Sequence, residues 1–269
     1  MRWLDLTPRD LKKYAKENSV CLFPIASLER HGEHLPLGTD SVIAEKICEL
    51  AGDAANVVVF PTWYWGQVHE AACYDGTINY PPEMLISMLR HTFAQIAHNG
   101  FQKIVVYNWH GGNLNMLEFL DMATLEEGRD YALYTINWGM GTFTDEENKA
   151  MDAAMETFIM GHADESETSL YMACRPGYTH LEYENRQKEP IMPGGRMSHL
   201  PGVYSALWWY ADYPENVGGV PTASTEEKGK ILLENNVSAL TRTLEAIKAD
   251  TTVPEMQKEY MARYRSVGK

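Results

Sequence analysis

The sequence has no run of basic residues and no closely spaced pair of cysteines. Lysine and arginine total 23 against 37 aspartates and glutamates, which gives a formal net charge of -14 and a pI of about 5.1. Nucleic acids and anionic membranes are recognised through basic patches, so we expect neither as a partner. The four cysteines, at positions 21, 48, 73 and 174, form no C-x-x-C pair. We therefore expect reduced, mostly buried thiols and neither a disulfide framework nor a thiolate zinc site.

Long apolar runs are also missing. No stretch approaches the ~20 apolar residues that span a bilayer, and the N-terminal MRWLDLTPRDLKKY has no apolar signal-peptide segment. We therefore expect a cytoplasmic protein. The 269 residues, 45% of them hydrophobic, suffice for a large core, and no repeat or Pro/Ser/Gly linker divides them. The sequence predicts one domain over residues 1–269.

Short apolar runs of strand length alternate with amphipathic segments of helix length. The runs are residues 19–26, 56–60, 103–108 and 131–137, and helical patterns cover 39–54 and 81–99. Pro81 and Pro82 begin the second helical pattern and Gly100 ends it, as prolines and glycines usually do. Such alternation is typical of a mostly parallel sheet covered by helices on both faces. We predict an α/β fold arranged as a three-layer sandwich.

Polar clusters follow the predicted strands. Glu29 and His31 come just after the first run, and residues two apart in an extended segment point the same way. His110 follows the third run, and Asp40 stands at the start of a predicted helix. Ligand sites of open α/β folds lie at the carboxyl ends of the strands, so we expect these side chains at one edge of the sheet. A third cluster, GHADESETS, adds His162 and three acids at the start of another helix.

Each of these residues also has a simpler interpretation. Asp40 alone is more typical of a helix cap, His162 could be a packed histidine bonded to a backbone carbonyl, and Glu33 and His34 could be solvated neighbours. The clusters together favour a metal centre, because buried unpaired charges are costly. Histidines and carboxylates without thiolates suit Zn²⁺, Mn²⁺ or Fe²⁺. Two such ions can activate a water and polarise a carbonyl, which predicts hydrolysis of a carbonyl compound.

Four sequence blocks resemble one known family. The blocks SLERHGEHLPLGTD, NWHGGN, GHADESETS and GGVPTASTEEKG, together with DGTINYPPEML, are similar to those of the creatininase (creatinine amidohydrolase) family over roughly residues 19–235. The resemblance implies an α/β sandwich with two divalent ions per subunit at the strand ends. It also implies assembly as a homo-oligomer, usually a hexamer, that acts on a small-molecule substrate.

The resemblance also implies a role for each matching residue. One ion would be held by Glu29 and His110, the other by His31 and Glu167, and Asp40 would bridge them. Glu167 takes this place because Gly112 stands where creatininase has an acid. His162 corresponds to the proton-transfer residue of the family. Catalytic roles are therefore expected of His162 and Glu167.

The substrate is the most open part of the prediction. Phe158 and Ile159 stand where creatininase carries a Trp-Asp pair that walls its substrate, which puts creatinine itself in doubt. We expect Phe158, Tyr74 and Asn113 to contact the substrate. Hydrolysis of a small cyclic amide or a formamide is the first expectation. Hydrolytic opening of an oxidised inositol ring is the alternative, and a non-catalytic metal or ligand binder is a third.

One segment suggests subunit contacts. Five large side chains lie within seven residues, namely Leu207, Trp208, Trp209, Tyr210 and Tyr213. A monomer seldom exposes so large an apolar patch, and segments rich in Trp and Tyr are typical of interfaces. The segment therefore predicts a homo-oligomer.

Overall fold

A four-stranded parallel sheet forms the centre of the molecule. The computed structural model describes residues 1–126, 128–129, 131–138, 143–157, 161–184 and 195–268. The strands are β1 (Val20–Ile25), β2 (Val58–Val59), β3 (Lys103–Asn108) and β4 (Ala132–Asn137), in the spatial order β2-β1-β3-β4. Ile25 lies opposite Asn108, and Asn108 lies opposite Asn137. The three longer strands therefore end together at one edge.

Helices fill the connections between the strands and the C-terminal third of the chain. Within the described residues the α-helices are α1 (Pro8–Glu17), α2 (Thr39–Ala54), α3 (Pro82–His98), α4 (Leu114–Ala123), α5 (Asp145–Ala154), α6 (Glu165–Cys174), α7 (Trp208–Asp212), α8 (Glu226–Ala249) and α9 (Thr252–Ser266). All of the described helices are too short or too polar to cross a bilayer.

The two faces of the sheet carry separate apolar cores. Successive side chains of a strand point to opposite faces, so Val20 and Leu22 of β1 belong to one core and Cys21, Phe23 and Ile25 to the other. The first core packs against α2, α6 and α8, and the second against α1, α3 and α4. Helices therefore cover both faces, which confirms the predicted three-layer α/β fold.

The predicted elements agree closely with the observed ones. The helical pattern over 39–54 is α2, and the apolar run 103–108 is β3. The run 56–60 yields only the two-residue β2, which lies at the edge of the sheet beside β1 and bridges to Arg2 on its other side. Among the four free cysteines, Cys21 and Cys48 are buried, whereas Cys73 is exposed.

Candidate metal centre

Five predicted ligand residues meet at the edge where the strands end. Glu29 and His31 lie in the segment after β1, and His110 lies two residues beyond the end of β3. Asp40 is in the first turn of α2 and Glu167 in the first turn of α6. Glu29, His31, Asp40 and His110 are buried, at 5% exposure or less. The topology therefore gathers residues that are up to 138 positions apart in the sequence.

The carboxylate of Asp40 is shared between two groups of possible metal ligands. Its Oδ1 lies 3.1 Å from His31 Nε2, and its Oδ2 lies 2.9 Å from His110 Nδ1. Glu29 Oε2 is 3.1 Å from His110 Nδ1, and Glu167 Oε2 is 3.6 Å from His31 Nε2. The groups are thus Glu29, Asp40 and His110 on one side and His31, Asp40 and Glu167 on the other.

Hydrogen bonds to backbone oxygens orient both histidine rings. His110 Nε2 lies 2.8 Å from the carbonyl oxygen of Gln67, and His31 Nδ1 lies 3.1 Å from that of Glu29. A carbonyl oxygen only accepts, so each of these nitrogens is the one that carries hydrogen. The other ring nitrogen faces the carboxylates, at the position from which a metal-binding histidine would present its lone pair to an ion.

Opposite charges hold the buried carboxylates ionised. Burial raises the pKa of Glu29, but His162 and His110 together lower it to about 2. Burial also acts against ionised Asp40, and His31 and His110 outweigh it, so its pKa lies well below the usual range. Burial lowers the pKa of His31 and His110, yet the facing carboxylates raise both well above normal. The cluster therefore requires positive charge, which protons or cations can supply.

The donor set fits divalent cations. Each group offers carboxylate oxygens and an imidazole nitrogen, and the ligand atoms of a group lie within 4.8 Å of one another. An ion bound at about 2.0 to 2.2 Å from each atom fits such a group. Carboxylate and imidazole ligands without thiolate suit Zn²⁺, Mn²⁺ or Fe²⁺. The residues present are thus compatible with two ions that share Asp40.

His162 lies beside the two groups. Its Nε2 is 3.6 Å from Glu29 Oε1 and 3.0 Å from the carbonyl oxygen of Arg30. Its ring packs on that of His31 with centroids 3.9 Å apart. Glu29, His31 and His162 form a third set of atoms close enough to hold an ion. The structure thus brings His162 to the cluster, and its role as proton donor stays a prediction.

The alternative interpretations can now be compared with the contacts. Asp40 does not cap α2, because Gly38 is the N-cap residue and Asp40 faces the two histidines. The interpretation of His34 as solvated is wrong: it is fully buried, and its Nε2 lies 3.0 Å from Thr168 Oγ1. This contact connects the loop after β1 to helix α6. Glu33 is exposed, as that interpretation requires.

The three predicted substrate contacts lie outside the carboxylate and histidine cluster or outside the described residues. Asn113 is fully buried, and its side chain bonds to the backbone nitrogen of Gln67 and to Asn108. The Tyr74 hydroxyl donates to backbone oxygens of Tyr213 and Pro214. Phe158 falls outside the described residues. A substrate-binding role for these three residues stays a prediction.

Sequence reasoning missed several residues that support the cluster. Ser27 donates to Asp40 Oδ2 at 2.8 Å, and Gln67 accepts from His110. Asn216 donates to Glu29 Oε1 at 3.1 Å, and Trp209 packs edge-on against His162 with ring centroids 5.4 Å apart. Ser27 stands inside the first quoted block, two residues before Glu29. Sequence reasoning assigns Trp209 to a segment of subunit contacts instead, and no pattern in the sequence distinguishes Gln67 or Asn216.

A parallel α/β sheet with carboxylates and histidines gathered at its strand ends is the arrangement of an α/β protein whose ligand site lies at that edge. The family model for creatininase, creatinine amidohydrolase, matches residues 4–244. The chain belongs to the creatininase family and is a hydrolase of that family.

Relatives with assigned activities differ in their substrates. The chain is 24% identical over 258 residues to a 3-dehydro-scyllo-inosose hydrolase of Thermotoga maritima. This alignment covers 91% of this chain and 81% of that protein. It is 20% identical over 243 residues to the creatinine amidohydrolase of Pseudomonas putida. This alignment covers 82% of this chain and 87% of that protein. A solved creatininase structure described as the Mn form superimposes with a TM-score of 0.77 at 18% identity and covers 93% of this chain and 99% of its own.

Proposed function

We propose that this chain is a divalent-metal-dependent hydrolase that directs a water molecule at a carbonyl carbon. The observation that carries the proposal is the position of Asp40, whose two oxygens face histidines of two different ligand groups. Two divalent ions held there would lower the pKa of a water from 15.7 to about 7 and polarise a carbonyl oxygen. The ligand residues would be Glu29, His31, Asp40, His110 and Glu167.

Asp40 and Glu167 have positioning roles in this proposal, and His162 has a role in proton transfer. Asp40 holds the two groups together, because Ser27 and the two histidines fix both of its oxygens. Glu167 is held by the backbone N–H of Ala163 at 2.6 Å, which fixes its Oε2 near His31. His162 stands at the margin of the cluster and is 11% exposed. This position supports His162 as the proposed donor of a proton to the atom that leaves the carbonyl carbon.

A small cyclic amide or a formamide is the first proposed substrate class. The support is membership of a family described as creatinine amidohydrolase and the likeness to the enzyme of Pseudomonas putida. Breaking a C–N bond requires a proton on the leaving nitrogen. His162 is the titratable group that could supply this proton without giving up a position among the five proposed ligands.

Hydrolytic opening of an oxidised inositol ring is the second candidate. The relative from Thermotoga maritima, which covers 91% of this chain, favours it. Attack on a ketone carbon followed by C–C cleavage uses the same water and the same proton donor, which here protonates a carbon. A cyclitol also needs several hydrogen-bond partners for its hydroxyl groups.

The experiment has two parts. Metal analysis of the purified chain after loading with Mn²⁺ or Zn²⁺ should give two equivalents per subunit, and Asp40→Ala should lose both. Unchanged metal content in Asp40→Ala would remove Asp40 as the shared ligand. The loaded enzyme is then screened against lactams, formamides and keto-cyclitols. Turnover of amides alone supports the first candidate, and turnover of keto-cyclitols alone supports the second.

A further inference from the structure

Asn216 is a buried polar residue that the proposed reaction does not yet use. It is 0% exposed and lies in the segment between α7 and α8. Its φ of 53° is in the left-handed region, which non-glycine residues seldom adopt. Such residues persist where the surrounding structure holds them, and they are concentrated at functional sites.

The side-chain amide of Asn216 connects Glu29 to His162. Its nitrogen lies 3.1 Å from Glu29 Oε1 and 3.1 Å from His162 Nε2, and it also donates to the carbonyl oxygen of Arg30. An amide nitrogen carries two hydrogens, so it can serve two of these three acceptors at once. Glu29 therefore keeps Oε2 for the group with His110, because Asn216 engages Oε1.

Trp209 fixes which way this amide points. Its indole Nε1 lies 2.5 Å from Asn216 Oδ1. An indole N–H can only donate, so the atom facing it is the amide oxygen, and the NH₂ group must face Glu29 and His162. The same indole ring packs edge-on against His162. Trp209 thus orients the amide and one side of the imidazole together.

These contacts leave His162 Nε2 no free lone pair. If Nε2 carries hydrogen, it donates to the Arg30 carbonyl oxygen at 3.0 Å. If it does not, it accepts from the Asn216 amide at 3.1 Å. In either tautomer Nε2 already has a hydrogen-bond partner. His162 is therefore not available as a metal ligand through Nε2, even though Glu29, His31 and His162 lie close enough together to hold an ion.

We propose that Asn216, oriented by Trp209, is a positioning residue that keeps Nε2 of His162 out of the metal shell and leaves Nδ1 for proton transfer. The inference rests on the proposed metal-dependent function. Loss of a partner that orients a metal site typically costs about 10- to 100-fold in affinity or activity. Asn216→Asp changes the donor NH₂ into an acceptor of nearly the same shape, and it should allow His162 to become a ligand.

Co²⁺ absorption tests this without a substrate, because its visible spectrum depends on the ligand set. We expect wild type and His162→Gln to bind two equivalents with the same spectrum, since His162 is not a ligand. Asn216→Asp should give a different spectrum, and the double variant Asn216→Asp/His162→Gln should return to that of the wild type. Identical spectra for Asn216→Asp and wild type would overturn the inference, as would a His162→Gln spectrum unlike that of the wild type.

A second variant tests the inference independently, in case Asn216→Asp does not fold. Trp209→Phe keeps a ring against His162 but removes the N–H that orients Asn216, and kcat should fall about 10-fold with KM nearly unchanged. This loss should vanish in a His162→Gln background, because it acts through His162. Trp63→Phe is the matched control, since it removes an indole bond to the Trp65 carbonyl oxygen elsewhere. A wild-type kcat in Trp209→Phe overturns the inference.

The proposed function and this inference can fail separately. A wild-type chain that binds no Co²⁺ contradicts the metal-dependent function itself. A chain that binds two equivalents and turns over substrate, but whose Trp209→Phe and Asn216→Asp variants behave as wild type, contradicts only the role of Asn216.

Discussion

His110 and His162 both lie beside the carboxylate of Glu29, but their ring nitrogens have different partners. His110 Nδ1 faces Glu29 and Asp40, whereas His162 Nε2 meets a backbone oxygen and an amide. We expect His162→Gln to keep both ions and to lose about 10²- to 10⁴-fold in turnover, as removal of a general acid does. His110→Gln should lose metal as well. Metal content, melting temperature and turnover of the two variants are the measurements, and full activity in folded His162→Gln would end the assignment.

Gly112 allows a close approach that a larger residue would prevent. A Cβ there would lie 2.3 Å from Glu70 Oε1, 2.5 Å from the Gln67 carbonyl oxygen and 2.6 Å from His110 Nε2. Gly112→Ala should displace the bond that orients His110 and weaken metal binding about 10- to 100-fold. Gly111→Ala is the control, because its Cβ would meet nothing closer than Trp138 at 3.5 Å. Equal metal affinity in both variants, measured by competition with a chelator, would contradict this reasoning.

The sequence predicts the residues of the cluster better than it predicts their supports. Glu29, His31 and His110 stand just after apolar runs, so sheet topology alone places them at one edge. Asn216 lies 187 residues after Glu29 and 54 after His162 in the sequence. Its role depends on how the segment between α7 and α8 folds back over the site, and no periodicity encodes that path. Contacts of this kind require the tertiary structure.

At the level of elements, burial patterns identify strands and helices where one face is fully covered. The runs 103–108 and 39–54 are recovered because their apolar residues follow the periods of a buried strand and a half-buried helix. The positions of α6 and of the segment before it depend on hydrogen bonds to a buried carboxylate and not on an apolar period. The buried carboxylate of Glu165 ties α6 to residues 156 and 157.

Glu165 accepts hydrogen bonds from the backbone nitrogens of Glu156 and Thr157 and from the ammonium of Lys228. Burial raises its pKa, but Lys228 and Thr157 lower it more, from 4.5 to about 2. Because the folded-state pKa is depressed, its contribution to stability is complete above pH 4.5 and is lost as the pH falls toward about 2.

The pH dependence of unfolding tests this contribution. The difference in unfolding free energy between wild type and Glu165→Gln should be largest at neutral pH and should shrink as the pH falls from 4.5 toward about 2. Urea unfolding over a series of pH values measures it. Glu156→Gln is the control, since that carboxylate also bonds to Lys228 but is 72% exposed. A constant difference between wild type and Glu165→Gln would contradict the assignment.

For the whole molecule, the exposed apolar segment around α7 favours self-association. Leu207 is 65% exposed, Trp208 41% and Tyr210 39%. We expect light scattering to give a multiple of 30.5 kDa at micromolar concentration. Leu207→Glu should reduce the mass, whereas Leu4→Glu, which changes a leucine 70% exposed at the other end of the chain, should not. A wild-type particle of 30.5 kDa rules the oligomer out.

The five proposed ligands come from the segments after β1 and β3 and from the first turns of α2 and α6. An unfolded chain cannot bring these positions together, so ions would bind the native state alone. At a free ion concentration of 100 Kd, binding of an ion adds about 2.7 kcal/mol to the free energy of unfolding. This increase raises Tm by roughly 5 to 10 °C. Calorimetry with and without a chelator measures the shift, and an equal shift in Asp40→Ala would contradict it.

A sheet edge that collects distant residues would thus give the proposed ions a second role. Their supply would govern how long each molecule survives as well as how fast it works. Under metal starvation the apo chain would unfold more often and meet proteases more often, because degradation follows the population of open forms. Abundance of the enzyme would then follow the availability of its ions without any regulator.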